Sequence, residues 1–182
     1  PDDTQADTCV AVSTKPELPR NYTTVSTAAD LDRMLNRLSA VPSFAFDIET
    51  NSLNAMSAQL VGISLSPAPG EAYYIPVGHD EGDQLGLDEV VKALKPAFED
   101  AKIGKVAHNA KFDYKILKRH GIAPSPISFD TMIAAFLINP IGRSQSLDDL
   151  TYREFGIEMI PISELIGKGK TETTFATVPI NE

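Results

Sequence analysis

Tryptophan is absent from the 182 residues, and cysteine occurs once, at Cys9. A lone cysteine excludes an internal disulfide and any multi-cysteine metal cage, and it fits a reducing compartment. Without tryptophan there is no Trp-based stacking platform. Long apolar runs are missing too: the longest, Met132–Ile138, is too short to span a bilayer. No charged-then-apolar signal segment opens the chain. Basic residues are scarce, 16 Lys and Arg against 25 Asp and Glu, for a net charge of −9. Such a field opposes non-specific, phosphate-neutralising binding to nucleic acid unless cations or a local basic patch offset it. What remains, 42% hydrophobic and 23% charged residues, is one domain's worth of chain that can bury a core. The first residue is Pro1 rather than Met, the expectation for a piece of a longer protein.

Residues 1–20 are rich in Asp, Thr, Pro and Lys with no apolar period, and read as a linker or tail. The folded domain is expected over 21–182. Tyr22–Val25 is short and β-like. Thr27 to Asp30 resembles a capping box, after which Leu31, Met34, Leu35 and Leu38 recur at helical spacing as far as Pro42. Three strands are predicted next, at Ser43–Thr50, Gln59–Leu65 and Ala72–Val77, with a turn at Pro67 to Gly70; their short links imply an antiparallel meander. Leu87, Val90, Val91, Leu94 and Phe98 mark a helix disturbed or stopped near Pro96. A buried strand at Ile103–Ala107 and a helix at Asn109–His120, closed by Gly121, follow. Thr131–Ile138 and Leu147–Phe155 read as two more helices. The order predicts an α/β fold, a mixed sheet flanked by helices.

Asp47 and Glu49 lie on one face of the first long strand, roughly 7 Å apart at their Cα atoms. Two desolvated carboxylates side by side are stable when a divalent cation sits between them. The acid-x-acid spacing recurs at Asp30/Asp32 and Glu81/Asp83, but only Asp47/Glu49 lies inside a strand built from Phe44, Phe46 and Ile48. The alternative is a solvated strand face. On the Asn109–His120 helix, Asn109, Asp113, Ile116, Leu117 and His120 share one sector, and Lys111, Lys115 and Lys118 lie opposite. Asp113 thus points inward, where an acid needs a partner or a metal; the alternative is a first-turn Asp favoured by the helix dipole.

Five segments in order, Phe46-Asp-Ile-Glu-Thr-Asn-Ser-Leu53, Tyr74-Ile-Pro-Val-Gly-His-Asp80, His108-Asn-Ala-Lys-Phe-Asp113, Phe129-Asp-Thr-Met132 and Gly167-Lys-Gly-Lys170, resemble the 3′–5′ proofreading exonuclease domain of bacterial DNA polymerase I. The resemblance runs from about Tyr22 to Glu182 and implies a ribonuclease H-like fold with four acidic residues. It implies two-metal hydrolysis that trims a single-stranded DNA 3′ end, with Mg²⁺ as the metal and Mn²⁺ or Zn²⁺ also admitted by carboxylates. Asp47 then matches the acid bridging both metals, Glu49 the ligand that orients the attacking water, and Asp113 the acid serving the second metal. Leu53 matches an apolar wedge against the terminal base, or else is a core leucine. Asn109 and Phe112 match residues lining the single-strand track, Asn109 also being a plausible helix N-cap. Arg143 matches a phosphate contact and Phe175 a base-packing aromatic; Lys168 and Lys170 form a small basic patch or solubilise a loop. The implied partners are a polymerase domain and a 5′ nuclease domain of the same parent chain, and the implied location is the bacterial cytoplasm at the nucleoid, with no membrane.

His108 stands where some relatives carry Gln. A larger departure concerns the family's third motif, Tyr-x-x-x-Asp: none of the five tyrosines is followed by an Asp four residues on. The domain is therefore expected to be incomplete at its C-terminus and nearly inactive. Asp130 reads as the N-cap of the following helix, and Asp148 and Asp149 as first-turn acids. Two rival functions remain: an RNA-trimming exonuclease of the same superfamily, and a structural spacer whose site is dead.

Overall fold

A computed structural model describes residues 20–180 except 143, 170 and 171. The tail, with Cys9, lies outside the described residues apart from Arg20. The elements run β1 (Asn21–Thr24), α1 (Ala28–Ser39), β2 (Ser43–Thr50), β3 (Leu60–Ala68), β4 (Glu71–Pro76), α2 (Leu87–Glu99), β5 (Gly104–Ala107), α3 (Ala110–Arg119), β6 (Ile127–Asp130), α4 (Thr131–Ile138), α5 (Leu147–Phe155) and α6 (Ile162–Ile166). A single turn of 3-10 helix at Phe175–Thr177 follows.

The six strands form one sheet in the order β1-β4-β3-β2-β5-β6. β2, β3 and β4 are the antiparallel meander, while β1 pairs with β4, β5 with β2 and β6 with β5 in parallel. β2 therefore sits in the middle, with neighbours of both senses. Its alternate residues Phe44, Phe46 and Ile48 are buried, and the Phe44 and Phe46 rings each pack edge-to-face with Phe98 of α2, centroids 5.3 Å apart. α1 adds Leu31, Met34 and Leu38 to the same core, its first turn held by the Thr27 hydroxyl accepting from the Asp30 N–H. The opposite face of β2 carries Ala45, Asp47 and Glu49, so the pleat that buries three apolar residues also presents the two acids.

Three expectations change. α2 runs through Pro96 to Glu99, because Phe98 two residues later is fully buried between two aromatic rings and its packing outweighs one missing helical bond. β6 was not expected: it is four residues long, exposed, and flanked by Pro126, so only Ile127 and Phe129 betray it. α6 was also not expected. α4 is apolar but buries no residue, leaving Ile133, Phe136, Leu137 and Ile138 exposed. Among the described residues, no helix is long and apolar enough to cross a membrane.

Candidate active site

The register of the meander sets out the acidic edge. Asp47 lies across from Ser64, and Ser64 across from Tyr74, while Glu49 lies across from Gly62. Gly62 has a local reason: a Cβ there would fall 2.0 Å from the Tyr74 hydroxyl, so only glycine lets the Tyr74 ring lean over β3 toward Glu49. Partial burial raises the Asp47 carboxyl, opposed by the Ile48 backbone and by His108. Burial and the neighbouring Asp47 push Glu49 up to about 7. Burial together with the charge of Glu49 raises the Tyr74 phenol well above its ordinary range.

The second acid-bearing element is α3, and Asp130 fixes how it starts. Asn109 occupies the cap position in the left-handed region (φ 61°, ψ 46°), a conformation Asn tolerates better than most residues, but its side chain makes no cap bond. Asp130 supplies the cap from β6 instead: its Oδ1 accepts from the Asn109 N–H at 3.2 Å and its Oδ2 from the Ala110 N–H at 2.9 Å. The same carboxylate caps its own helix, α4, through the N–H groups of Met132 and Ile133. The expectation for Asn109 is thus corrected in its chemistry; its amide is left over for the cavity. Asp113, one turn into α3, is 3% exposed. Burial, then Asp47, Glu49 and Asp130, push its carboxyl up to about 8, and no cation among the described residues pairs with it.

Asp47, Leu53, Asn109, Phe112 and Asp113 line one cavity of about 370 Å³, which His108 and Met132 also border. Leu53 stands at its mouth, 93% exposed, which removes the core-leucine alternative. Phe112 is partly buried against the core. Glu49 sits one step along β2, toward Tyr74. Phe175 lies apart from this cavity, its ring centroid 6.0 Å from that of His79. Arg143 and Lys170 lie outside the described residues. His108 Nδ1 is 2.8 Å from the Thr131 hydroxyl, while its Nε2 is buried with no partner. The side chains that sequence reasoning left without a role are Tyr74, His79, the orphaned nitrogen of His108 and the double cap of Asp130; the only local signal for the first was the glycine at 62. Among the described residues, no three His, Cys, Asp or Glu side chains already stand close enough to hold an ion. The donor set nonetheless fits a hard divalent cation: carboxylate oxygens, mutually repelled and partly desolvated, whose charge a cation would balance.

The descriptor 3′–5′ exonuclease fits residues 22–181. The DNA polymerase I of Chloroflexus aurantiacus is 43% identical over 166 residues, covering 90% of this chain. This chain belongs to the 3′–5′ exonuclease family. Another relative of the exonuclease is the DNA polymerase I of Pseudomonas aeruginosa, 34% identical over 89% of the chain. The exonuclease chain spans 17% and 18% of the length of those two polymerases. Its fold is also that of Escherichia coli RNase D, an exoribonuclease involved in structured RNA processing, with a TM-score of 0.64 at 22% identity over 89% of this chain and 39% of that one. Brucella melitensis NrnC with bound Mg²⁺ shares the exonuclease fold at a TM-score of 0.56 and 20% identity, over 79% of this chain and 65% of that one.

Proposed function

We propose that this exonuclease chain is the proofreading module of a DNA polymerase I, hydrolysing the 3′-terminal phosphodiester of DNA with divalent cations held by Asp47, Glu49 and Asp113. The observation that carries the reading is Asp113, an acid buried at the head of α3 and faced by Asp47, Glu49 and Asp130, with no cation paired to it among the described residues. Mg²⁺ is the expected metal, as two ions, which when bound supply charge stabilisation to the attacking and leaving oxygens. The chain's own residues do the rest. Glu49 accepts a proton-bearing bond from the attacking water, Leu53 stacks at the cavity mouth against the last base, and Asn109 and Phe112 flank the strand that enters. Arg143 contacts a phosphate and Phe175 packs on a base. A cavity of about 370 Å³ holds one splayed nucleotide rather than a pair, so the terminal pair must open, at a cost of a few kcal/mol that mismatched ends do not bear in full.

The same reading leaves residues 1–182 alone close to inactive. Asp130 is spent on two helix N-termini, and Asp148 and Asp149 lie in the first turn of α5, where Asp149 also accepts from the Ser146 hydroxyl. Among the described residues, these three acids are thus placed for helix capping rather than for completing the set. The module would then work beside the polymerase domain and the 5′ nuclease domain of its parent, in the bacterial cytoplasm. The fold shared with RNase D favours a second reading, trimming of RNA 3′ ends. A spacer role with a dead site is disfavoured by the three acids that stand.

The deciding experiment uses the full-length parent protein. Asp47→Ala should lower Mg²⁺-dependent release of 3′ nucleotides from single-stranded DNA at least a hundredfold without lowering the melting temperature in EDTA. Activity within threefold of wild type would sink the assignment, and faster release from RNA than from DNA would select the second reading.

A further inference from the structure

Tyr74 and His79 belong to a segment that the resemblance singled out and the proposed chemistry leaves unused. His79 is 7% exposed and hydrogen-bonded on every side. Its Nδ1 is 2.9 Å from the Val178 carbonyl, its Nε2 is 2.6 Å from the Tyr74 hydroxyl, and its backbone exchanges two bonds with the Gln84 amide. The direction of these bonds follows from the acceptor. A carbonyl can only accept, so Nδ1 carries the proton; in the neutral ring Nε2 is then bare and Tyr74 donates to it.

This chain of bonds has two ends. At one end, the Tyr74 ring leans over Gly62, directly across from Glu49. At the other end is the turn that carries Phe175: besides the Val178 bond, the Asp80 N–H donates to the Ala176 carbonyl at 2.8 Å, and the Phe175 ring rests on the His79 ring. The bond from His79 to Val178 spans 99 positions of sequence and joins the two ends in space.

We propose that Tyr74 and His79 are positioning residues, a hydrogen-bonded bridge that holds the Phe175 turn at a fixed spacing from Glu49. The aromatic that packs on the substrate and the carboxylate at the scissile bond then move as one unit. This inference rests on the exonuclease reading, which identifies both ends as substrate-facing. Neither bridge residue touches substrate; they act through what they hold.

The test uses the full-length parent protein, with amide hydrogen exchange at Thr177 and Val178 and with kcat and KM on a single-stranded DNA oligonucleotide in Mg²⁺. These two amides close the turn, donating to Thr174 and Phe175 carbonyls. His79→Leu should speed their exchange at least tenfold, leave β2 to β4 unchanged, and raise KM about tenfold. His79→Asn places a donor where Nδ1 stood and should restore slow exchange. Tyr74→Phe removes one hydroxyl; it should leave exchange in the turn within twofold while lowering kcat about tenfold, because it cuts the bond that ties the ring over Gly62, across from Glu49, to His79. If His79→Leu and Tyr74→Phe both keep kcat and KM within twofold of wild type, the bridge positions nothing. If His79→Leu loosens β2 to β4 as well, the role is merely structural and the proposal is overturned. Asp47→Ala, run alongside, separates the premises: an active Asp47→Ala removes the exonuclease reading, and an inactive one with unaffected bridge variants removes only the bridge.

Discussion

Lys105, near the start of β5, and Asp113, in the first turn of α3 beyond the strand's other end, are two buried ionisable groups that the fold treats in opposite ways. The Lys105 residue is wholly buried, yet its ammonium donates to three backbone carbonyls, those of Asp100, Ile103 and Ser125, each at 2.7 Å. Three N–H donors meet three acceptors, so the charge is satisfied within the protein. Asp113 is nearly as buried, but what surrounds it is more negative charge. On the proposed reading, the charge left unsatisfied at the other end of the strand is the one a cation from outside the chain would balance. The contrast is between a charge satisfied by the backbone and one that the protein leaves unbalanced.

Breaking the satisfied end should have the larger effect on stability. Lys105→Met keeps most of the volume but takes the ammonium from three carbonyls at the junction of α2, β5 and the loop before β6, of which that of Asp100 keeps the Ile103 N–H, and should cost about 3 kcal/mol, read as a fall in the urea midpoint. Burial lowers the Lys105 pKa, opposed by Asp100, so part of the ammonium's worth is already spent on desolvation. A loss below 1 kcal/mol would show that the three bonds merely break even, and the contrast with Asp113 would weaken.

At the acidic end the sign reverses and depends on pH. Glu49 and Asp113 have folded-state pKa values of about 7 and about 8 against ordinary values of 4.5 and 3.8. A raised carboxyl stabilises the fold fully below its unfolded value, and that contribution is lost as pH rises through the folded one. The metal-free protein should therefore lose stability from about pH 4 to about pH 8. Asp113→Asn should raise its stability by roughly 2 kcal/mol at pH 8.5 and by much less at pH 4.5. Mg²⁺ should do the same for the wild type, with a shift in melting temperature that grows with pH because cation and protons compete for the same oxygens. A Mg²⁺ shift of equal size at pH 5 and pH 8.5, or one that survives in Asp113→Asn, would count against a carboxylate-held cation.

Period-based reading reached the elements that bear the acids, because β2 alternates strictly and α3 keeps an apolar sector: Asp47, Glu49 and Asp113 could be placed on faces from spacing alone. What escaped it was made by contacts distant in sequence. Asp130 reads as a cap for the helix that it begins, and it is one, but nothing local says that it also caps a helix twenty residues earlier. The bond between His79 and Val178 is of the same kind, as is the match of Gly62 to Tyr74. β6 is too short to show a period, and Pro96 looks like a helix stop until Phe98 is seen between two rings. The exposed apolar surface of α4 is legible as apolar, but its lack of cover is not.

Asp130 offers the smallest effect and the finest dissection, since it is the fourth acid of the neighbourhood and is shifted the opposite way from Asp47, Glu49 and Asp113. Burial would raise it, but the N–H groups of Ala110, Ile133, Asn109 and Met132 outweigh that and hold it below the ordinary carboxylate range. A depressed carboxyl contributes stability above its unfolded value and loses it as pH falls, so Asp130 should matter most at neutral pH, where Asp113 is a burden. Asp130→Ala should cost about 1 to 2 kcal/mol at pH 7 and little at pH 3, the scale of a lost helix cap. Asp130→Asn discriminates further, because Oδ1 serves Asn109, Met132 and Ile133 whereas Oδ2 serves Ala110 alone. The amide should keep α4 capped and lose only the Ala110 bond, costing well under half as much as alanine and speeding exchange at the Ala110 N–H selectively. Equal losses for Asn and Ala would mean that charge rather than directed bonds holds the two helix N-termini, and the division of labour between the two oxygens would fall.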